Sequence, residues 1–294
     1  MKFIDIHAHA NAYPQPPYSP GKRLFSTPGE LLAFYDRYGV EKGVILPAAN
    51  VENTIGVQSN EEAIAIAAAH PDRFIPFCDV DPRAFFNAPD APLLDILKWY
   101  RDKGCRGLGE ICANLPFSDP RVQNLFAAAE AVGFPVTFHV SPVADRGYGL
   151  VDQAGLPGLE SSLARFPKLR FFGHSQAFWC EIGRYADEAC RAGYPEGPVV
   201  EGRLPALFRD YPNLYGDLSA GSGANALMRD RVYAIKFLTE FQDRLLFGLD
   251  ICSPEEEDVK PHRLPAFLRE LRATGEISDA VFRKVGRENA ERLL

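Results

Sequence analysis

A single (β/α)8 barrel of the α/β class is what this 294-residue sequence predicts. Three observations carry the prediction. Eight short apolar runs rich in β-branched and aromatic residues are spread over the whole chain, and segments with helix start and stop signals separate them. Each run is apolar enough to be covered on both faces, as parallel strands are. The residues with the most chemistry, four histidines with one glutamate and one aspartate, fall at the ends of these runs, where barrel enzymes build their sites. An open doubly wound sheet is the rival, but no run is followed by the GxGxxG turn. No linker divides the chain, so residues 1–294 are expected to form one domain.

The elements follow in order. Phe3-Ile4-Asp5-Ile6 leads into His7-Ala8-His9, and residues 11–26 form a long loop stiffened by Pro14, Pro16, Pro17 and Pro20 and carrying Tyr13 and Tyr18. Thr27-Pro28-Gly29-Glu30 combines an N-cap, a proline at the first helical position and the glutamate of a capping box, and Gly39 ends that helix. After the run at 43–46, Ser59 and Glu62 repeat the box and His70-Pro71 stops the helix. The run at 74–80 precedes a helix read from Asp90 to Gly104. The run at 106–111 holds Gly109-Glu110. Asp119-Pro120 opens the next helix, whose Val122, Leu125, Phe126, Ala129 and Val132 keep helical spacing up to Gly133.

Runs at 135–140 and 169–173 meet His139 and His174. A second long loop, 175–199, carries Phe178, Trp179 and Tyr185. Runs at 214–218 and 245–249 complete the set, the last meeting Asp250. An acidic stretch at 255–258 reads as solvated surface, and the tail reads as helical from Leu264. The long loops after strands 1 and 6 are expected to lie over the barrel mouth as lids. That makes Tyr18, Phe178 and Trp179 candidate substrate-binding residues for a small planar or apolar substrate.

Hydrophobic residues make up 46% and charged residues 24%, enough for an ample core. A formal charge of −7 argues against bulk nucleic-acid or anionic-membrane binding, and no apolar run approaches the length of a membrane span. With the first strand read from the N-terminus, no signal or transit segment is expected. Cys78, Cys105, Cys112, Cys180, Cys190 and Cys252 form no CxxC pair and read as reduced thiols of a cytoplasmic protein. The expected partner is a small-molecule substrate.

The candidate site is metal-binding. His7 and His9, two apart at a strand end, are able to converge on one ion. Imidazole with carboxylate suits zinc, manganese or a similar divalent ion, and an open position would hold an activated water. Asp250 has two readings, N-cap of the next helix or carboxylate ligand and general base. Glu110 has three: bridging a second ion, polarising the site, or holding Arg106. Asp5 orients a ligand or pairs inside the barrel. His70 and His262, beside prolines at helix ends, read as surface residues. Cys112 and Cys252 lie near the site face, but buried apolar cysteine is commoner, so they are not counted as ligands. The glycine-rich residues 219–223 read as a flexible loop. No Ser-His-Asp or Cys-His nucleophile follows from sequence order.

These residues resemble the amidohydrolase superfamily of metal-dependent TIM barrels. The wording Ile4-Asp5-Ile6-His7-Ala8-His9, Gly173-His174, Tyr211-Pro212-Asn213-Leu214-Tyr215-Gly216-Asp217-Leu218-Ser219, Leu246-Phe247-Gly248-Leu249-Asp250 and Glu288-Asn289-Ala290-Glu291-Arg292-Leu293-Leu294 is similar to its amidohydrolase-related branch. That branch includes aminocarboxymuconate semialdehyde decarboxylase and several lactone and amide hydrolases. The resemblance runs the length of the chain and is specific to the superfamily, not to a substrate. It implies that His7, His9, His139 and Asp250 ligate one metal, and that His174 supplies a catalytic imidazole or ligates a second ion. Members with a carbamylated lysine bridge carry that lysine at the end of the fourth strand, where this chain has Glu110. The carbamate pattern is thereby excluded. A glutamate there resembles the TatD-type nucleases and some phosphotriesterase relatives, in which it helps hold two metals, so one ion or two remain open. Pairing into a homo-oligomer through outer helices is a further expectation by analogy.

Four functions compete. Hydrolysis of a small amide, lactone or ester through a metal-activated water ranks first, with Asp250 as base and His174 stabilising the oxyanion. Non-oxidative decarboxylation of an aromatic or unsaturated acid is the alternative, and it needs a cationic anchor, for which Arg146, Arg184, Arg229 and Arg231 are candidates. A two-metal phosphoesterase or nuclease fits Glu110 but not the acidic charge. A non-catalytic ligand-binding barrel would have lost ligands, and every expected position is filled.

Overall fold

Eight strands stand where the apolar runs predict them. In this computed structural model they are β1 Phe3–Ala8, β2 Val40–Ile45, β3 Phe74–Pro76, β4 Leu108–Ile111, β5 Val136–Ser141, β6 Phe171–His174, β7 Leu214–Asp217 and β8 Leu245–Leu246. The structure describes residues 1–52, 56–184, 188–255 and 260–294, without the side chains of Tyr18, Glu188, Ala189, Lys260 and Pro261. Strands β1 to β3 pair in parallel, and so do β4 to β8, each run in chain order. Backbone bonds join the two runs into one ring. Cys78 bridges to Leu108, and the Ile6 N–H donates to the Phe247 carbonyl at 2.9 Å. The result is a (β/α)8 TIM barrel.

The helices are α1 Pro28–Tyr38, α2 Asn60–Ala69, α3 Leu93–Asp102, α4 Pro120–Val132, α5 Pro157–Arg165, α6 Gln176–Cys180, α7 Arg203–Asp210, α8 Ala220–Met228, α9 Arg231–Glu240, α10 Lys260–Ala273, α11 Asp279–Arg283 and α12 Asn289–Leu293. The capping box of α1 forms as read: Glu30 N–H donates to Thr27 Oγ1, and Thr27 N–H to the Glu30 carboxylate. Gly39 ends the helix at φ 73°. Asp119 caps α4, and Gly133 terminates it in the left-handed region.

Two apolar layers follow from strand alternation. Ile4, Ile6, Val44, Leu46, Phe77, Phe172, Tyr215 and Leu246 fill the barrel, joined by Ala290 and Leu293 of α12. The larger layer lies between strands and helices and includes Phe126, Phe138, Phe171 and Phe178. Each fully buried side chain of this size contributes about 1.5–3 kcal/mol.

Three readings are corrected. Helix α3 starts at Leu93 behind Pro92, not at Asp90. Residues 220–223 are the first turn of α8 rather than a loop; a Cβ on Gly223 would strike the Leu218 carbonyl, so close packing is what the glycine serves. His262 is buried against Phe34 and Tyr38, because α10 begins at Lys260 and turns its first residues onto α1. Glu255 is exposed, as read for the acidic stretch, and it is also paired. Its carboxylate accepts from Arg23 Nε at 2.7 Å and from the Arg23 N–H at 2.9 Å, tying the loop after β8 to the loop after β1. Residues 256–258 of the acidic stretch lie outside the described residues, as does Tyr185. Among the described residues, no helix is long and apolar enough to cross a membrane. No disulfide joins any of the six cysteines.

Asp79, three residues beyond β3, is buried and accepts from the Ala49 N–H at 3.0 Å. Burial, with Asp81 and Glu110 nearby, pushes its carboxyl up to about 8. The folded protein therefore holds a proton that the unfolded chain releases near 3.8, and stability from this group is lost as pH rises between those values. Asp79→Asn is expected to flatten that decline. Urea midpoints measured across the window in the metal-free protein check it, and an unchanged slope would show Asp79 ionised throughout.

Candidate functional site

The strand ends bring six of the predicted residues together. In the β1–β2 pairing the register shifts between Asp5 and Ala8, and an irregularity of this kind re-aims side chains. Ile6 packs inside the barrel and Ala8 in the outer layer, while His7 and His9 both turn inward. Asp5 holds this strand end in place. Its Oδ1 accepts from the His7 N–H (3.0 Å) and from the Leu249 N–H (2.9 Å), and its Oδ2 from the Tyr35 hydroxyl (3.0 Å). Asp250 follows directly and donates its N–H to the His7 carbonyl at 3.0 Å. It sits at φ 53° and opens no helix, so the N-cap reading falls away.

Hydrogen bonds set the tautomers of both histidines. His7 Nδ1 lies 2.6 Å from Asp217 Oδ2, and His9 Nδ1 lies 2.8 Å from the Leu46 carbonyl, which only accepts. With the protons on Nδ1, both Nε2 lone pairs face each other at 3.2 Å. Glu110 Oε2 lies 3.6 and 3.8 Å from these two nitrogens, and Asp250 Oδ1 lies 3.8 and 3.7 Å from them. With His7 neutral, two nitrogen lone pairs and two carboxylate oxygens so placed repel one another unless a cation sits among them; without metal, the proton that the carboxylates hold on His7 is that cation. The five spacings that involve a histidine nitrogen bracket the roughly 3.4 Å edge of a tetrahedron with bonds of about 2.1 Å, the length of zinc–nitrogen and zinc–oxygen bonds, and His7, His9 and Asp250 form one close group. The donor set fits a divalent ion.

His174 and His139 both face Glu110 Oε1, and the His174 ring also packs 4.4 Å from that of His7. His174 Nε2 is 3.8 Å from Glu110 Oε1 and 3.7 Å from Asp250 Oδ2, and its Nδ1 is 3.0 Å from Ser219 Oγ. His139 Nδ1 lies 2.9 Å from Glu110 Oε1. The close ligand groups are His7–His9–Asp250, His7–Glu110–His174 and Glu110–Cys112–His139. His139 thus groups with Glu110 and Cys112 rather than with the His7–His9 pair. Gly109 lets Glu110 reach the centre: at φ 135°, a Cβ there would strike the Thr137 carbonyl of β5.

The electrostatics are those of a cluster built around positive charge. Burial opposes the charged form of His7, yet Asp250, Asp217 and Glu110 push its pKa well above the usual histidine range. Burial and the His7 charge push His9 down and bring His174 to about 4. Burial opposes ionisation of Glu110 and Asp250, but the surrounding histidines hold both carboxyls low. Burial and Glu110 push the Cys112 thiol up.

A cavity of about 190 Å³ opens above this floor. Leu24 and Phe25 from the loop after β1, Pro47, Ala48 and Glu52 after β2, and Cys112, Tyr148 and Cys252 make its walls. The first long loop therefore contributes a wall, with Phe25 N–H bonded to the Cys252 carbonyl at 2.6 Å. The side chain of Tyr18 lies outside the described residues.

The second long loop is different, and Phe178 and Trp179 are corrected. Ser175 Oγ accepts from the Phe178 N–H and folds the segment into α6, against the outside of the barrel. Gly173 leaves room for the Phe178 ring, which a Cβ would strike. Both aromatics are buried, Trp179 donating Nε1–H to the Asp217 carbonyl at 2.8 Å, and neither lines the cavity. Phe178→Ala is expected to cost about 3–5 kcal/mol of stability while leaving KM of the residual folded enzyme near the parent value. Chemical denaturation and steady-state kinetics check it, and a raised KM with intact stability would return Phe178 to the substrate wall.

The proposed anchors are elsewhere too. Arg231 pairs with Glu270 and Glu276, Arg184 is exposed and bonds the Glu201 carbonyl, Arg146 is exposed, and Arg229 lines a separate hollow. Arg83 stands behind the wall, but its guanidinium is committed to Glu52 at 2.7 and 2.9 Å and to Asp81 at 2.6 and 2.8 Å. Among the described residues, no lysine or arginine lines the cavity.

Sequence reasoning gave Asp217, Ser219, Tyr148 and Glu52 no role in the site. Asp217 ends β7, the same position on its strand that drew notice to His174 on β6, and that was the available signal. Tyr148 and Glu52 come from loops with no periodic pattern. The Tyr148 ring lies 4.5 Å from that of His139 at the cavity mouth.

Comparison with known proteins agrees with this architecture. The sequence model of a family described as amidohydrolase matches residues 4–294. No functionally curated protein of similar sequence matches the chain. Among solved structures, an uncharacterized TIM-barrel protein of Bordetella bronchiseptica superposes with a TM-score of 0.65 at 19% identity, covering 100% of this chain and 98% of its own. A probable 2-pyrone-4,6-dicarboxylic acid hydrolase of Acinetobacter baumannii follows at 0.57 and 13%, covering 100% and 99%. The 5-carboxyvanillate decarboxylase of Sphingomonas paucimobilis gives 0.58 and 16%, covering 99% and 98%.

Proposed function

The chain belongs to the amidohydrolase family, and from that premise we propose that it is a metal-dependent hydrolase of small, uncharged lactones, amides or esters. One observation carries the choice within the family. The cavity has a floor of convergent histidines and carboxylates, and no described wall residue offers a cation. Loss of CO2 from an aromatic acid, the reaction suggested by 5-carboxyvanillate decarboxylase, brings a carboxylate into the cavity and wants such a cation. Attack on a neutral carbonyl does not.

His7, His9, Asp250 and Glu110 would hold a divalent ion, zinc or manganese by donor type, and when bound that ion supplies Lewis acidity and lowers the pKa of water. The remaining work belongs to side chains. Asp250 is ionised, and its Oδ2 faces away from the His7–His9 pair toward His174, placed to accept the proton of an attacking water. His174 is neutral near pH 7. With the Ser219 hydroxyl donating to Nδ1, its Nε2–H faces the cavity and stabilises negative charge developing on the carbonyl oxygen. Phe25, Leu24 and Pro47 give the substrate an apolar wall and exclude bulk water.

The test is a panel of neutral lactones, amides and esters beside aromatic carboxylic acids, offered to the metal-loaded protein. Acid release from a neutral substrate is expected. Release of CO2 from an aromatic acid, with every neutral carbonyl untouched, would overturn the proposal.

A further inference from the structure

We propose that Glu52 selects the substrate: its carboxylate accepts a hydrogen bond from a hydroxyl group that the lactone, amide or ester carries apart from its scissile carbonyl. The inference deepens the hydrolase reading and rests on it for the carbonyl at the cavity floor. Glu52 lines the same cavity as His9, His139, His174 and Asp250, yet it belongs to none of the close ligand groups of that floor. What it meets in the cavity is therefore the other end of the substrate.

A bracing role alone does not account for this carboxylate. Arg83 holds it at two points, Nη1 donating to Oε1 at 2.9 Å and Nη2 to Oε2 at 2.7 Å, and the Asn114 N–H donates to Oε1 at 2.9 Å. The guanidinium already has a carboxylate of its own: Asp81 Oδ1 accepts from Nε at 2.8 Å and Oδ2 from Nη2 at 2.6 Å. Two carboxylates on one guanidinium leave a net negative charge. Glu52 is the member of the trio that lines the cavity, and Arg83 and Asp81 do not. The surplus charge thus faces the substrate. Burial opposes that charge, but Arg83 and the Asn114 N–H hold the Glu52 carboxyl below the usual range, so it is ionised near pH 7.

The lone pairs point the same way. Each carboxylate oxygen has two, and of the donors on other described residues Oε1 takes two and Oε2 one. An ionised oxygen with room for one more donor, in a wall shared with Leu24, Phe25, Pro47 and Ala48, attracts an O–H and repels an ether oxygen or a carboxylate. Its place is fixed in advance, because Glu52, Arg83 and Asn114 tie the loops after β2, β3 and β4 together. A site built around such an acceptor discriminates against substrates that cannot donate to it.

The test uses carbonyl compounds that bind without being hydrolysed: cyclohexanone, and cyclohexanone carrying a hydroxyl or a methoxy on the carbon opposite the carbonyl. Their dissociation constants for the metal-loaded protein are measured by ligand-observed NMR. The hydroxyl ketone is expected to bind about tenfold to a hundredfold tighter than the other two. Glu52→Gln should abolish that preference, since an amide turns either its oxygen or its N–H to the cavity. Thermal unfolding shows whether the variant is folded, and the wild-type comparison stands without it. Equal affinity for the three ketones, or a tighter methoxy ketone, would overturn the inference. A preference that survives in folded Glu52→Gln would move the contact elsewhere on the wall and overturn the assignment to Glu52. A hydroxyl preference in a protein that hydrolyses no neutral carbonyl would leave this subsite standing and overturn the hydrolase reading. Binding of none of the three would overturn the inference, and with no neutral carbonyl hydrolysed it would overturn both.

Discussion

Replacing His9 with alanine is expected to strip the protein of its metal and lower turnover at least a thousandfold, at little cost in stability. Replacing His7 should do the same and also destabilise the fold. The difference follows from what each Nδ1 holds. His9 donates to the Leu46 carbonyl, one neutral acceptor at the cavity edge. His7 is fully buried and donates to Asp217 Oδ2 at 2.6 Å. Without it, Asp217, itself wholly buried, keeps the Ser219 N–H and loses its strongest partner. Leaving a buried charge without its partner costs about 3–5 kcal/mol. Elemental analysis and denaturant unfolding of the metal-free variants check both halves. Full metal content in His9→Ala would remove the core of this account, and equal stability of the two variants would show that Asp217 does not depend on His7.

Asp250→Asn is expected to keep the fold and lose about 10²–10⁴-fold in turnover, even when metal is supplied to saturation. Asparagine tolerates the left-handed φ of 53° at this position and preserves the N–H bond to the His7 carbonyl. What it loses is the negative charge and the ability to take a proton. Metal affinity should also fall, because one of four close donors becomes a neutral amide. Measuring kcat across a metal titration separates the two effects. Recovery of full activity at high metal would make Asp250 a ligand only, and unchanged activity throughout would make it neither ligand nor base.

The barrel was legible because its strands are covered on both faces and read as continuous apolar runs, with capping signals as specific as Thr27-Pro28-Gly29-Glu30 between them. The floor of the site was legible for a related reason: a histidine or carboxylate closing a buried strand is conspicuous. Partner choice was not. Nothing local in the sequence says that His139 meets Glu110 and Cys112 rather than His7 and His9, since that depends on how far each strand end leans over the axis. Asp217 matches His7 across 210 residues, a pairing only the closed ring creates. Phe178 and Trp179 misled because aromatic residues after a strand-end histidine suit a lid and a core helix equally. The Ser175 cap and the missing Cβ of Gly173 decided for the core. Glu52 and Tyr148 stayed hidden in loops, where neither periodicity nor register reports which way a side chain points.

The most direct test is anomalous diffraction at a metal absorption edge, from crystals of protein purified without chelator. The account predicts a peak bonded to His7 Nε2 and His9 Nε2, with Asp250 and Glu110 completing the shell. A metal-replete crystal with no density between those nitrogens, or with its ion bound elsewhere on the chain, would contradict it.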